Sequence, residues 1–365
     1  MDADILRSKR FFYAALALIV IVALFLRLEE FGRVYGKKPL DNDAFFYTQE
    51  AGRFDILSLE NGFSSNHSGK EPLWVFFVSL SSRLSADHEL TIRLTSLLFS
   101  LLSIILAVIL LRSLCGNISL IAPLLLAVDP NLVINSVRGL REEMYGFLIL
   151  CFFYSVFYSS SKRKAFITGV FGGLVCLTRL YSIYFVVFFL AFYYLPKSIS
   201  GDRAVLKQFT LSLLLLLLMI SPLVIDNLLT CHVPDCSVYL AARYLANVEF
   251  HGLKSNAGAF ISPSDYLFGR SYDSLLFRTL LLFSFLLLIV LGFPFGLGLI
   301  ILPFDFARRE YIEGLKPILL FIPLFLLPYS LMPLGFESRY LVPIYPFAAI
   351  VNTIGLSNLA RLLRK

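Results

Sequence analysis

Two clusters of charged residues lie between apolar stretches, and their residue types suit acid–base or phosphate chemistry. The first, Lys37 to Phe54, reads KKPLDNDAFFYTQEAGRF and places Asp41 and Asp43 two residues apart. Two carboxylates at this spacing can bind a hard cation such as Mg²⁺ or Mn²⁺, or one can act as a general base while the other orients it. The alternative is structural, with Asp43 as the N-cap of a helix that begins near Ala44.

The second cluster is the segment VRGLREEMY, residues 137–145, which contains Arg138, Arg141, Glu142 and Glu143. Charge this dense at a membrane boundary is costly unless it faces water, a partner or a ligand. One interpretation is an arginine that holds a phosphate while a glutamate takes part in chemistry. The other is local pairing, Arg138 with Glu142 and Arg141 with Glu143.

Single polar residues near the ends of other apolar runs extend these clusters. Arg179 lies in LTRLYS, Arg339 and Tyr340 lie in GFESRYLVPIYP, and Lys70 follows the acidic pair in the first long polar segment. A lone arginine at such a position can simply reach the lipid headgroups. Several cations and carboxylates around one cavity instead suit an anionic substrate that carries phosphate.

The elements that position these residues are apolar helices. The chain has 365 residues, of which 58% are hydrophobic and 16% charged, whereas a soluble domain carries about 25% charged residues. A run of about 20 apolar residues crosses a bilayer. We therefore predict an all-α polytopic membrane protein with about ten transmembrane helices, at 11–28, 92–112, 118–135, 144–160, 165–179, 181–195, 206–229, 276–302, 315–334 and 340–360.

The distribution of Lys and Arg predicts the orientation. With a cytoplasmic N-terminus, every inner segment carries Lys or Arg, so both termini are expected inside and the charged clusters outside, in a multi-pass protein of the cell membrane. The long outer loops are then 29–91, with an interfacial helix at 72–84, and 230–275. We expect one transmembrane domain over 1–365 without a soluble C-terminal domain.

Several functional classes are disfavoured. The net charge of +7 sits mostly between spans, where it sets orientation, so nucleic acid is not an expected partner. Gly-rich phosphate loops, HExxH and GxSxG are absent from the sequence, which disfavours soluble-type nucleotide enzymes. Cys231 and Cys236 form the one cysteine pair in a polar segment, and whether they form a disulfide is left open.

The order of these features resembles the C-type (GT-C) membrane glycosyltransferases, in the branch of protein O-mannosyltransferases and aminoarabinose transferases. The resemblance rests on the acidic pair after the first span, on the segment 71–74 that opens an interfacial helix, and on a helix centred on Arg93. It continues with the turn 138–144, a Gly-rich span that ends in Leu-Thr-Arg at Arg179, and the Arg-Tyr-Leu motif from Arg339.

The resemblance implies inverting transfer of a sugar from a polyprenyl-phosphate donor to a lipid, glycan or protein acceptor at the outer face. It implies that Asp41 or Asp43 deprotonates the acceptor hydroxyl and that Glu143 orients the substrate. Donor phosphate is expected at Arg141, Arg179 and Arg339, and the adjoining Arg138, Glu142, Tyr340 and Lys70 complete the expected substrate-binding set.

Two features of the sequence keep alternatives open. The Asp-Asn-Asp spacing differs from the adjacent acidic pair of the mannosyltransferases, and it allows a divalent cation on Asp41 and Asp43 as in oligosaccharyltransferases. The competing class is a transporter or flippase for a lipid-linked or anionic solute, whose ionisable residues would line a pathway. Asp129 and Asp226 are the candidates for such residues, and most predicted spans have no charge at mid-depth.

Overall fold

The computed structural model describes residues 9–55, 72–115, 119–158, 163–199, 202–230, 317–322, 324–325 and 338–362, and these residues contain helices and no strand. The helices are α1 (Lys9–Val34), α2 (Asn42–Arg53), α3 (Pro72–Ser82), α4 (His88–Cys115), α5 (Ile121–Val128), α6 (Pro130–Ser136), α7 (Glu142–Phe153), α8 (Lys164–Thr178), α9 (Ile183–Ile199), α10 (Arg203–Thr230) and α11 (Tyr345–Leu362). The chain forms two compact units, Met1–Val238 and Tyr239–Lys365.

Three of these helices are long and apolar enough to cross a bilayer: Arg10–Val34, His88–Arg112 and Arg203–Ile225. Helices α8 and α9 are apolar but have only 15 and 17 residues. At 1.5 Å per residue they reach about 22–26 Å, less than a hydrocarbon core of about 30 Å. The all-α membrane architecture is confirmed. The number of spans stays a prediction, since 276–302 and most of 315–334 lie outside the described residues.

The predicted span at 118–135 is wrong as a single helix. The structure has two short helices there, α5 and α6, which are separated at Asp129. Pro130 occupies the first position of α6, and the Asp129 carboxylate accepts a hydrogen bond from the Leu132 N–H at 3.0 Å. The break follows from these two residues, because proline starts helices well and an aspartate before it caps them.

Arg27 fills the space that this break creates. Its side chain is fully buried in α1. The guanidinium donates to the carbonyls of Leu126 and Ala127 at 3.2 and 3.1 Å, and to Ser100 Oγ of α4 at 3.1 Å. The last carbonyls of a helix have no partner within the helix, so Arg27 satisfies the end of α5 and joins α1 to α4.

Close packing of α8 on α10 fixes the second half of this unit. A Cβ added at Gly169 would lie 2.7 Å from both Leu215 Cβ and the Ser212 carbonyl. Ser212 Oγ also donates to the Ala165 carbonyl at 3.0 Å. Small residues at a helix interface let the backbones approach in this way, which is a common means of association in membranes. Arg179, directly after α8, is thereby held in place.

The first loop is tied at both of its ends. The Tyr35 phenol, next to the end of α1, donates to the Asp87 carboxylate just before α4. The Leu90 N–H also donates to Asp87, and these two bonds, the Leu90 bond first, lower the pKa of the Asp87 carboxyl. The Gly36 N–H donates to Glu89 at 3.3 Å. The two ends of the loop that carries α2 and α3 are therefore held together by hydrogen bonds.

Helices α2 and α3 pack against each other within this loop. The structural alternative, in which Asp43 caps α2, is wrong: α2 begins at Asn42, and Asp41 occupies the N-cap position without a side-chain capping bond. Helix α3 buries Leu73, Trp74 and Val75 against its neighbours. A helix at this place was predicted, and its position at the membrane surface stays a prediction.

In the second unit, the described residues are 317–322, 324–325 and 338–362. The ring of Phe321 packs against Phe347 of α11, with ring centroids 4.5 Å apart. A 3₁₀ helix, Ser338–Ile344, leads directly into α11.

Candidate active site

The first acidic residue of the loop contacts the charged turn between α6 and α7. Arg138 Nε lies 2.7 Å from Asp41 Oδ2, and the two side chains are 30% and 36% exposed. Arg138 also donates to Asn135 Oδ1 at 3.3 Å. Asp41 is therefore a carboxylate held by an arginine at a surface that a substrate can reach. The predicted local pairing of Arg138 with Glu142 does not form.

A glycine permits this contact. Gly139 follows Arg138 and has φ +75°, a conformation that costs an L residue about 1–2 kcal/mol. A Cβ at this position would lie 3.1 Å from Ile92 Cγ2 of α4 and 3.6 Å from Ala44 Cβ of α2. The turn thus packs tightly between the loop helix that follows Asp41 and the long helix α4.

Arg93 joins the same three elements by hydrogen bonds. Its guanidinium donates to the carbonyls of Val137 and Lys38 at 2.7 and 3.1 Å, and its Nε lies 2.9 Å from Glu89. Because Arg93 is buried, these bonds fix the charged turn and the start of the loop relative to α4. Arg93 therefore fixes the backbone segments that carry Asp41 and Arg138.

Glu142 pairs with a distant arginine rather than with a neighbour. Arg179 Nη2 lies 2.5 Å from Glu142 Oε1, and the two side chains are only 4% and 6% exposed. The Arg179 guanidinium also lies over the Tyr145 ring, 5.2 Å from its centroid, and the Tyr145 hydroxyl contacts Ser182 Oγ at 2.5 Å. This buried group joins the first turn of α7 to the turn after α8.

Glu143 and Arg141 lie beside these pairs. Glu143 is buried, forms a hydrogen bond with Ser100 and interacts electrostatically with Arg27. Arg141 is half-buried and donates to the Thr178 carbonyl at 3.4 Å, so the predicted alternative pair Arg141–Glu143 is not what holds Arg141 in the structure. Two of the three arginines are each paired with one carboxylate, Arg138 with Asp41 and Arg179 with Glu142.

Membership of this cluster stays a prediction for the remaining site residues. Asp43 is half-buried in the first turn of α2. Arg339 and Tyr340 lie in the 3₁₀ helix of the second unit, so their membership of the same site stays a prediction. Lys70, Cys231 and Cys236 lie outside the described residues.

The described residues do not build a metal site around the acidic pair. No group of three or more His, Cys, Asp or Glu side chains with metal-binding geometry occurs among them. Asp41 is engaged with Arg138, so a cation there would compete with a guanidinium. A hard divalent cation takes about six oxygen ligands, and we derive no step through a metal.

Arg27 was missed as a site-supporting residue by the sequence analysis, and Arg93 was noted only as the centre of a motif. A signal was present for Arg27, since a charge near the end of the apolar run 11–28 marks a polar contact inside a membrane domain. Its partners on other helices could not be named, because they lie 73 to 100 residues away in the sequence.

Comparisons with known proteins place this geometry in a family context. Residues 67–225 match the family model described as dolichyl-phosphate-mannose-protein mannosyltransferase. That segment contains Arg93, Arg138, Glu142 and Arg179, whereas Asp41 precedes it. A search of curated proteins by sequence gave no match.

Solved structures share the fold. ArnT from Cupriavidus metallidurans in the apo state has a TM-score of 0.56 and 14% identity, over 93% of this chain and 59% of that chain. The oligosaccharyltransferase from Archaeoglobus fulgidus in the apo form has a TM-score of 0.58 and 13% identity, over 98% and 52%. The same archaeal enzyme, AglB, in complex with an inhibitory peptide and a dolichol-phosphate has a TM-score of 0.50 and 14% identity, over 98% and 52%.

The chain spans between half and three fifths of the length of these solved structures. At this level of identity the likeness concerns the fold, and the family model adds a sequence match over the segment that carries the charged turn. The chain therefore shares its fold with ArnT and the archaeal oligosaccharyltransferase, and its residues 67–225 resemble the dolichyl-phosphate-mannose-protein mannosyltransferase family.

Proposed function

We propose that this protein transfers a sugar from a polyprenyl-phosphate donor to a hydroxyl-bearing lipid, glycan or protein acceptor at the outer face of the cell membrane. The observation that carries the proposal is the contact between Asp41 and Arg138. It brings a carboxylate suited to deprotonate an acceptor beside a cation suited to hold a phosphate, in a chain with the GT-C fold.

In the proposed reaction the acceptor oxygen attacks the anomeric carbon while the bond from that carbon to the phosphate oxygen breaks. Asp41 takes the hydroxyl proton, and polyprenyl phosphate leaves with the bonding electron pair. A single displacement inverts the anomeric configuration. Holding base, acceptor and donor in line accounts for much of the rate that such a site can supply.

The arginines divide by exposure. Arg138 is 30% exposed and Arg141 is half-buried, so both can contact a donor phosphate. Arg179 is 4% exposed and lies against Glu142 and Tyr145. We assign the phosphate to Arg138 and Arg141 and a positioning role to Arg179. The buried Glu143 is likewise assigned a positioning role, because its carboxylate contacts Ser100.

The Asp41–Arg138 pair also implies an exchange. Arg138 is already paired with Asp41 before a donor binds, so a donor phosphate brings a further negative charge to the same guanidinium. It can be neutralised if Arg138 turns from Asp41 to the phosphate, and the same movement frees the Asp41 carboxylate to act as a base. Donor binding and base activation are then coupled.

A transfer assay tests this proposal. Purified full-length protein is incubated with radiolabelled polyprenyl-phosphate sugars and a panel of lipid, glycan and peptide acceptors. We expect Asp41→Asn to lower transfer at least 100-fold, in line with the loss of a general base. Asp43→Asn is measured in parallel, since Asp43 is the other candidate base.

The matched control is Asp87→Asn. Asp87 lies at the end of the same loop and caps α4, a task that Asn performs equally well. A folded Asp41→Asn protein that transfers sugar at the wild-type rate would refute the assignment of Asp41 as the base, and a loss in Asp43→Asn instead would identify Asp43 as the base. Movement of a donor across the membrane without a new sugar–acceptor bond would favour the transporter alternative.

A further inference from the structure

A cluster of cationic side chains lies at the start of α8, at the opposite end of this helix from Arg179. Lys164, the first residue of α8, donates from Nζ to the Tyr193 hydroxyl at 2.9 Å, and its Nζ lies 4.5 Å from the centroid of the Tyr193 ring. Lys197 Nζ lies 3.8 Å from the same centroid. Two ammonium groups from α8 and α9 therefore converge on one phenol, and we call these three residues the lysine clamp.

Helix stability explains only one of the two lysines. Lys197 lies in the last turn of α9, where the helix dipole favours a cation. Lys164 lies in the first turn of α8, where a cation is disfavoured, and this turn has no acidic residue. Two like charges near each other also repel. Contact with an aromatic face offsets part of this cost, by about 0.5–1 kcal/mol for each exposed pair.

The surrounding sequence is strongly positive. Apart from Arg179, which lies at the other end of α8, residues 161–207 include six basic residues and one acidic residue, Asp202. The Asp202 carboxylate accepts hydrogen bonds from the N–H groups of Ala204 and Val205 at 2.9 and 3.3 Å, so it caps the start of α10. The charge of this end of the unit thus complements an anion.

Exposed apolar side chains lie next to the lysine clamp. Phe192, Leu195 and Ile199 on α9 are 40%, 41% and 86% exposed. In a helix of a membrane protein such side chains face acyl chains, while Lys and Tyr near helix ends lie at headgroup level. The combination fits an amphiphile with an anionic head rather than a soluble ion.

We propose that the lysine clamp is a binding site for an anionic phospholipid of the bilayer, whose phosphate lies between Lys164 and Lys197 and whose acyl chains contact the exposed apolar face of α9. The site is separate from the proposed sugar-transfer site, since the 15 residues of α8 hold the two about 22 Å apart. Its function is to fix the α8–α9 hairpin, which carries Arg179 at its other end.

Native mass spectrometry of the full-length protein tests this proposal. Phosphatidylglycerol and phosphatidylcholine with identical acyl chains are titrated onto wild type and onto the double variant Lys164→Gln with Lys197→Gln. A basic residue near an anionic surface contributes about fivefold in affinity, so we expect the double variant to bind phosphatidylglycerol about 10- to 30-fold more weakly. Binding of phosphatidylcholine should not change.

The matched control is Lys207→Gln, an exposed lysine in the first half of α10 that lies outside the clamp. It removes a positive charge and should keep the wild-type affinity within twofold. If the double variant does not fold, Lys197→Gln alone carries the test, because Lys197 is exposed, and about a fivefold loss is expected.

Three results would overturn the proposal. The first is an equal affinity of wild type for the two lipids, and the second is an equal loss in the Lys207→Gln control. The third is displacement of phosphatidylglycerol by millimolar inorganic phosphate, which would show a site for a soluble anion. Sugar transfer does not enter these measurements, so their outcome is independent of the proposed enzymatic function.

Discussion

At the scale of single residues, the site depends on two ion pairs in different environments. The Asp41–Arg138 pair is about one third exposed, and pairs of this kind are worth about 0.2–1 kcal/mol. The Glu142–Arg179 pair is almost fully buried, where removal of one partner leaves an uncompensated charge. The first pair is therefore exchangeable with a substrate and the second is structural.

Replacing Arg138 should weaken donor binding. A hydrogen bond to a charged group contributes about 1.5–3 kcal/mol, so Arg138→Gln is expected to lower the affinity for polyprenyl phosphate about 10- to 100-fold. The measurement is a titration of purified protein by native mass spectrometry. Arg53→Gln, at a 73% exposed arginine in α2, is the control, and an equal loss in both variants would contradict the assignment.

Breaking the buried pair should destabilise the fold. We expect Arg179→Met to lower stability by about 3 kcal/mol, seen as a lower apparent Tm in detergent, because Glu142 then remains charged among apolar groups. The double variant Glu142→Leu with Arg179→Met should recover much of this loss. If the double variant is less stable than Arg179→Met, the pair is not the cause.

At the scale of elements, the charged turn between α6 and α7 is the part that the surrounding helices position. Arg93 holds it from α4, Asp41 contacts it from the loop after α1, and Arg179 contacts it from the end of α8. The turn itself requires Gly139 at positive φ. Any change that shifts this turn should therefore affect both ion pairs at once.

Gly139→Ala tests this dependence. The substitution strains the backbone by about 1–2 kcal/mol and brings a Cβ to 3.1 Å from Ile92, so both the apparent Tm and sugar transfer should fall. Gly52→Ala in α2 is the matched control, since Gly52 has open space around it and alanine favours helices. Wild-type behaviour of Gly139→Ala would contradict the proposed packing of the turn.

The sequence predicted the helices better than their contacts. Apolar runs indicated α1, α4, α8, α9 and α10, because hydropathy depends on neighbouring residues alone. The break at Asp129 was missed although Asp-Pro is a helix-start signal, since the apolar run continues through it. Asp41 is 97 residues from its partner Arg138 in the sequence, and Glu142 is 37 residues from its partner Arg179. Such pairings depend on how the helices pack.

At the scale of the whole molecule, the lysine clamp and Arg179 lie at opposite ends of the α8–α9 hairpin. The distribution of Lys and Arg predicts that the lysine clamp faces the cytoplasm and that Asp41 and Arg138 face outwards. A polyprenyl-phosphate donor presented at the outer face would then reach the site directly. The orientation is thus part of the functional proposal.

Cysteine labelling in intact cells tests this orientation. In a background where Cys115, Cys231 and Cys236 are serine, Asn42→Cys should react with a membrane-impermeant thiol reagent, because Asn42 is exposed beside Asp41. Ala204→Cys, at the exposed start of α10, should react only after the membrane is permeabilised. The reverse pattern would place the candidate site in the cytoplasm and contradict the proposed topology.

The most direct test of the account combines donor binding and sugar transfer in one variant, Asp41→Asn. Loss of the carboxylate frees Arg138, so the affinity for polyprenyl phosphate should rise about two- to fivefold, the equivalent of an exposed ion pair. In the same preparation sugar transfer should fall at least 100-fold, because the base is lost. An Asp41→Asn protein that binds polyprenyl phosphate more weakly than wild type, or that still transfers sugar at the wild-type rate, would contradict the account.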